Sequence, residues 1–305
     1  MADQENIIET LRTGDLIRHG RMSLGMTQAE LASYLTQHND IFNGVDTVTI
    51  SRWEAGRVYP STKRLIAFAK ILYPQHTRTT LKYMIKDRPR GHQECKVSKV
   101  NAFHPHPYLV GEAHRALAIT EDISRLTSGT RRCIDPYFTA LSQQQEQEQA
   151  KTLRLVVLDP TTQEIFGHLL AYCGNLDTCS EAPSVIISSV YAGSDKIFEF
   201  LFSQFFRFAV QQDARSIHLI CGDSQQRALA KRLGLTQSRT KAPQLIQSAL
   251  ADREGQIFEG DYFETLAHPD FIALFASDIA PYPHVEGDEA SGQHDEQRDY
   301  VSSSA

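Results

Sequence analysis

The sequence predicts two domains: an all-α module over residues 1–86, and an α/β domain with a mixed, mostly antiparallel sheet over residues 94–282. Three observations carry that division. Up to residue 86 the apolar residues recur at helical spacing, with capping residues at the starts and glycines near the stops. Beyond residue 94 the pattern changes to short apolar runs such as 153–159, 165–174 and 184–192, set off by turn residues and interleaved with helical stretches. Charge changes sign at the same place: residues 1–100 hold 15 Lys/Arg against 10 Asp/Glu, a net of +5, and the remainder holds 16 against 27, a net of −11. The 305 residues are enough for two cores.

Ile7, Ile8, Leu11, Leu16 and Ile17 predict an entry helix over 6–20. Thr27 with Glu30 three residues on is a capping box, and Ala29, Leu31, Ala32 and Leu35 continue the helix it opens. Ala32 is small where a second helix would cross. An eight-residue excursion, 36–43, then interrupts the pattern, and it either lengthens that helix or bulges as a loop. Gly44 supplies the turn and Asp46 caps the next helix, on which Ile50 and Trp53 face inward while Thr47, Val48, Thr49 and Arg52 can face out. Ala55-Gly56 stops it and Pro60-Ser61 opens another, with Leu65, Ile66, Phe68, Ala69 and Leu72 as its stripe. A short helix over 80–86 and a polar linker over 87–93 close the domain.

The outward residues suit a nucleic acid: hydroxyls reach phosphates or base edges, methyls meet thymine, and Arg forks onto guanine. The mild positive charge of this third fits docking on phosphates without indiscriminate affinity. Thr27-Gln28-Ala29-Glu30-Leu31-Ala32, Gly44-Val45, Ile50-Ser51 and Trp53-Glu54-x-Gly56 together resemble the lambda-repressor/Cro-like (XRE) helix-turn-helix family, over about a quarter of the chain. The resemblance implies Gln28 on phosphate, Thr47, Val48 and Arg52 facing bases with Thr49 beside them, and a buried Arg21–Glu54 pair next to a structural Trp53. It also implies a double-stranded operator read by a homodimer, because one such module covers a single half-site. The insertion over 36–43 departs from the family pattern.

In the larger domain, 95–100 alternates like an edge strand, and 108–128 and 134–149 read as helices. A hairpin (153–159, 165–174), a strand (184–192), an amphipathic helix (195–212), a strand (216–222), a helix (224–234), a strand (255–267) and a terminal helix including Phe271 to Phe275 follow. The acidic, Ser-rich stretch 283–305 is predicted to be disordered. This order, with Ile165 to Tyr172 and Leu233-Gly234-Leu235, resembles the GNAT superfamily of N-acetyltransferases. By that resemblance the acyl-CoA pyrophosphate belongs on a Gly-rich turn at the start of the 195–212 helix, where backbone N–H groups and the helix dipole meet phosphate. The matching positions are Gly193, Lys196 and Phe198, and Ala230 stands where many members have an acid Tyr. The expectation is therefore a domain without acetyltransferase activity and with no cofactor, residual acetyl-CoA or other acyl-CoA binding being the exception. It would serve as a sensor, oligomerisation or partner module, with His168, Tyr172, Tyr191, Lys196 and Glu181 as candidates to line an effector cleft.

Cys95, Cys133, Cys173, Cys179 and Cys221 are odd in number and lack C-x-x-C spacing, which argues against a disulfide framework or a zinc site. His104 and His106, separated by Pro, read as a linker edge rather than a metal tract. No signal peptide opens the chain, and its longest apolar region, 197–210, is short of a span and interrupted by charge, so a cytoplasmic protein away from membranes is expected. The sequence reads as a DNA-binding transcriptional regulator with a small-molecule effector or a protein partner. Two other readings stay open: an active N-acetyltransferase with its own DNA-binding module, and an autoregulating antitoxin or phage-type repressor.

Overall fold

The computed structural model describes residues 10–87, 117–121, 151–174, 183–221, 224–241, 256–276, 279 and 282–285. The helix pair predicted over 108–128 and 134–149 falls mostly outside these residues, as do the strand over 95–100, most of the linker and Glu181.

In the N-terminal domain, α1 (Thr13–Ser23), α2 (Gln28–His38), α3 (Thr47–Glu54), α4 (Thr62–Leu72) and α5 (Thr77–Lys86) pack around Leu16, Leu31, Ile50, Trp53, Phe68 and Leu81. The helix predicted over 6–20 is interrupted at residues 11–12, where Arg12 is extended, and resumes at Thr13. Its start is fixed from far along the chain: the Thr13 N–H donates to Asp87 at 2.8 Å, and the Thr13 hydroxyl to the Met84 carbonyl at 3.2 Å. The two ends of the domain therefore cap one another. Gly14 is required where α1 meets the end of α3, since a Cβ there would lie 2.6 Å from the Trp53 carbonyl oxygen and 2.7 Å from that of Glu54.

The first three residues of the excursion, Thr36 to His38, lengthen α2 by most of a turn, and the rest is not an open loop. Asp40–Phe42 forms a single 3₁₀ turn, started by the Asn39 side chain accepting from the Ile41 N–H at 3.0 Å. Its last residue, Phe42, is fully buried, with its ring edge-on to Phe68 at 4.9 Å. Arg64 on α4 donates to the Ile41 carbonyl at 3.1 Å, tying the turn down from the other side.

The second domain holds β1 (Ala118–Thr120), β2 (Lys151–Leu158), β3 (Ile165–Gly174), β4 (Ser184–Ala192), α6 (Asp195–Val210), β5 (Ser216–Cys221), α7 (Ser224–Arg232), β6 (Thr236–Lys241), β7 (Gln256–Asp261), α8 (Tyr262–Leu266) and α9 (Pro269–Ala276). They build a seven-stranded sheet in the order β1-β2-β3-β4-β5-β7-β6, antiparallel except where β4 meets β5. That parallel pair is short, joining Ser184–Ile187 to Ser216–Leu219. α6 lies on one face, close enough to β3 that a Cβ on Gly167 would fall 2.5 Å from Ile197. Its aromatic stripe meets α9, with Phe206 and Phe275 rings 4.6 Å apart.

Four differences from expectation have visible structural causes. Ala118–Thr120 is a strand, not part of a helix over 108–128, because β2 offers it a free edge. β6 was hidden in a polar stretch, and the run 255–267 divides at Asp261, whose carboxylate accepts from the Glu264 N–H at 2.8 Å and starts α8. Residues 283–285 belong to the fold rather than to a disordered tail: Ile119 donates to the Pro283 carbonyl at 2.8 Å and accepts from the Val285 N–H at 3.0 Å.

The domains touch along helices, α8 against α4, and α6 and α9 against α5. At the centre, the Lys70 ammonium reaches the Val210 and Gln212 carbonyls that end α6, the Tyr262 hydroxyl and Asp213, and lies over the Tyr262 ring. A cation at a helix C-terminus complements its dipole. Lys63, two turns earlier, pairs with Glu264.

Candidate nucleic-acid interface

Both helices of the motif begin with a side-chain cap. Thr27 and Glu30 form the reciprocal box, with hydrogen bonds of 3.2 and 2.7 Å. The backbone hydrogen bond from Thr27 is the larger reason the Glu30 carboxyl sits below its usual range. Between the helices Gly44 takes φ +79°, a conformation glycine adopts without strain. Asp46 then accepts from both the hydroxyl and the N–H of Thr49, at 2.6 and 2.7 Å, which lowers its pKa.

Ile50 and Trp53 are buried, Trp53 edge-on to Phe68 at 5.5 Å, while Thr47, Val48, Ser51 and Arg52 lie in solvent. Val48 is 54% exposed, unusual for an aliphatic side chain on a packed helix. Thr49 differs from its neighbours: its hydroxyl is turned onto Asp46 and its side chain is half-buried. Of the base-facing set predicted from sequence, Thr47, Val48 and Arg52 share an open surface, and Thr49 supports the helix start.

Glu54 closes α3 from inside. Arg21 grips it with two hydrogen bonds, 2.6 Å from Nε and 3.1 Å from Nη2, and Arg18 approaches to 3.6 Å. Gln28 joins them, donating to Glu54 at 2.8 Å, a contact the sequence did not disclose. Burial pushes the Glu54 carboxyl up, but the hydrogen bonds from Arg21 and Gln28 and the arginine charges outweigh it, and the net shift is down. The hydrogen bond to Glu54 likewise raises the Arg21 pKa. The cluster fixes α1 and α2 to the end of α3, and so sets the angle of the exposed face. The Gln28 amide keeps a second N–H for another acceptor.

Of the residues predicted to line an effector cleft, His168 and Tyr191 meet as partners across β3 and β4 with rings 6.3 Å apart, and Lys196 lies away from them. His168, Tyr172 and Tyr191 are fully buried on the sheet face turned away from α6, since Gly167 packs on α6 and side chains alternate. His168 is hydrogen-bonded to Ser189 at 2.7 Å, and burial raises the Tyr191 phenol to about 12, keeping it neutral. Lys196 is exposed on α6, on the other face. On the same face as His168 runs a chain that sequence reading missed: Ser184 to Ser216 at 2.8 Å, and Ser216 to His218 at 2.8 Å. Its one sequence signal is the Ser-x-His spacing on a strand. Burial lowers the His218 pKa, with Glu259 opposing.

At the start of α6 the Gly193 N–H is engaged by the Phe166 carbonyl at 2.8 Å, Ser194 caps Ile197, and Phe198 is buried against Phe202 at 4.4 Å. Ala230 is fully buried. Among the described residues no group of three or more His, Cys, Asp or Glu could hold a metal ion, and no helix is long and apolar enough to cross a membrane.

Comparison with curated proteins found no match to the chain. A family model did match: the helix-turn-helix model HTH_3 covers residues 17–72, from within α1 to the last residue of α4, and leaves the sheet domain unassigned. The N-terminal domain is thus a helix-turn-helix DNA-binding domain of the XRE/Cro-like kind.

Proposed function

We propose that the chain is a sequence-specific transcriptional regulator that reads its operator with the exposed face of α3. The observation that carries this is the pairing of an open Thr47–Val48–Arg52 surface with a buried Arg21–Glu54–Gln28 cluster that holds it. Arg52 recognises a base edge, Val48 offers an aliphatic contact to a thymine methyl, and the free N–H of Gln28 reaches a phosphate. Two half-sites about one helical turn apart are needed for useful specificity, so the working form is a homodimer. On DNA selected from a random pool, Arg52→Ala is expected to weaken binding by about 1–3 kcal/mol and relax the preference at one position. Gln28→Ala should weaken all sequences about equally. Unchanged affinity and preference in Arg52→Ala would place recognition elsewhere.

The second domain is read as GNAT-like and without acyl transfer. Its strand order and the short parallel pair of β4 with β5 support the first part. The second rests on the start of α6, where Phe198 is packed into the core and the Gly193 N–H is already taken. A pyrophosphate there would forgo charge-assisted backbone hydrogen bonds of about 1.5–3 kcal/mol each. Calorimetry with acetyl-CoA should show no micromolar binding. Tight binding abolished by Lys196→Ala would restore the enzyme reading.

A further inference from the structure

Between the domains lies a cleft of about 850 Å³, within the size range of small-molecule sites. One wall is the inserted turn, 37–41; the others are α4, the segment joining α6 to β5, and the start of α8. Lys70 lies in it with its side chain 15% exposed, fixed by the carbonyls that end α6. Burial lowers its pKa, and Asp213 opposes that shift. Yet the Asp213 side chain is fully exposed, and an ion pair with a solvated partner contributes only about 0–1 kcal/mol. A fixed, largely desolvated ammonium thus has a replaceable counter-ion.

The rest of the lining decides what could replace it. Arg215, Asp40 and Asp261 also face the cleft and form no ion pair among the described residues. With Lys63 and Glu264 included, the walls carry three positive and four negative side chains. A simple anion would meet that acidic excess. A simple cation would leave Lys70 and Arg215 unserved. A molecule with both charges satisfies each set and adds no net charge.

We propose that the cleft binds a small zwitterion of the amino-acid class. Its carboxylate takes the place of Asp213 on Lys70, with Arg215 beside it, and its ammonium faces Asp40 and Asp261. Because the inserted turn is anchored through Phe42 on Phe68, the ring against which Trp53 of α3 also packs, occupancy bears on the placement of α3. That effect on DNA rests on the operator-reading function proposed above; the binding itself does not.

The test uses the full chain without DNA. Individual amino acids at millimolar concentration are screened by thermal shift, and any that bind are compared by calorimetry with their carboxamides and their deaminated acids. One or a few amino acids should raise Tm, and both analogues should fail. Asp40→Asn, a change at an exposed residue, should weaken binding about tenfold, and Lys70→Met should abolish it. The proposal is overturned if no amino acid binds, if either analogue binds as well as its parent, or if Asp40→Asn binds unchanged. None of these outcomes touches operator recognition, which the random-pool selection tests by itself.

Discussion

Glu54→Ala should lower the stability of the N-terminal domain by about 3–5 kcal/mol, because it strips the counter-charge from Arg21, whose side chain is only 15% exposed. The loss includes three hydrogen bonds to the carboxylate, two from Arg21 and one from Gln28. Arg21→Ala should be nearly as damaging, since it leaves a carboxylate that is 1% exposed. The double variant should be far less damaging than the two effects added, and additivity in that cycle would show that the pair is not one unit. The pH response has a definite sign. The folded-state pKa of Glu54 lies below its unfolded value, so its contribution is full above the ordinary carboxylate pKa and fades as pH falls through the folded value. The Glu54→Gln variant should therefore lose part of the acid-side fall in stability that the parent shows below about pH 4. DNA binding should fail with stability, because the same residue holds the end of α3.

Much of this arrangement was legible in the sequence, and the reason is local. Caps, glycine turns and apolar spacing act over a few residues, so Thr27, Glu30, Gly44, Asp46 and the inward Ile50 and Trp53 could be placed from their neighbours alone. The hairpin and α6 were equally readable, because Ile165–Gly174 and the phenylalanine stripe of α6 carry long, one-signed patterns. What escaped was set by contacts across the chain. Arg12 interrupts the entry helix, and Asp87, 74 residues away, caps it where it resumes at Thr13. The polar strand β6 exists because β7 pairs with it, and β1 because β2 does. The partner of Gln28 lies 26 residues on, where no spacing rule reaches. His168 and Lys196 looked like neighbours in a cleft because strand alternation, which puts them on opposite faces of the sheet, depends on register with β4 and on the side that α6 covers.

The insertion gives the sharpest case, and Phe42→Ala should expose it. Read as a sequence, 36–43 is polar but for Ile41 and Phe42, and it could equally lengthen the helix or bulge as a loop. In the fold, Phe42 is fully buried and stands on Phe68, which also carries Trp53. Truncating a buried phenylalanine costs about 3–5 kcal/mol, the lost transfer energy plus the cavity left behind. The loss should appear as a fall in the melting temperature of the N-terminal domain, with the sheet domain keeping its own transition. Phe42→Leu, which refills most of the volume, should recover much of it. Ile41→Ala, half-buried in the same turn, should cost far less. If Phe42→Ala and Ile41→Ala cost alike, the turn would be surface decoration. The expected inequality instead makes it a structural part of the DNA-binding core, with its outer side left to form the wall of the cleft.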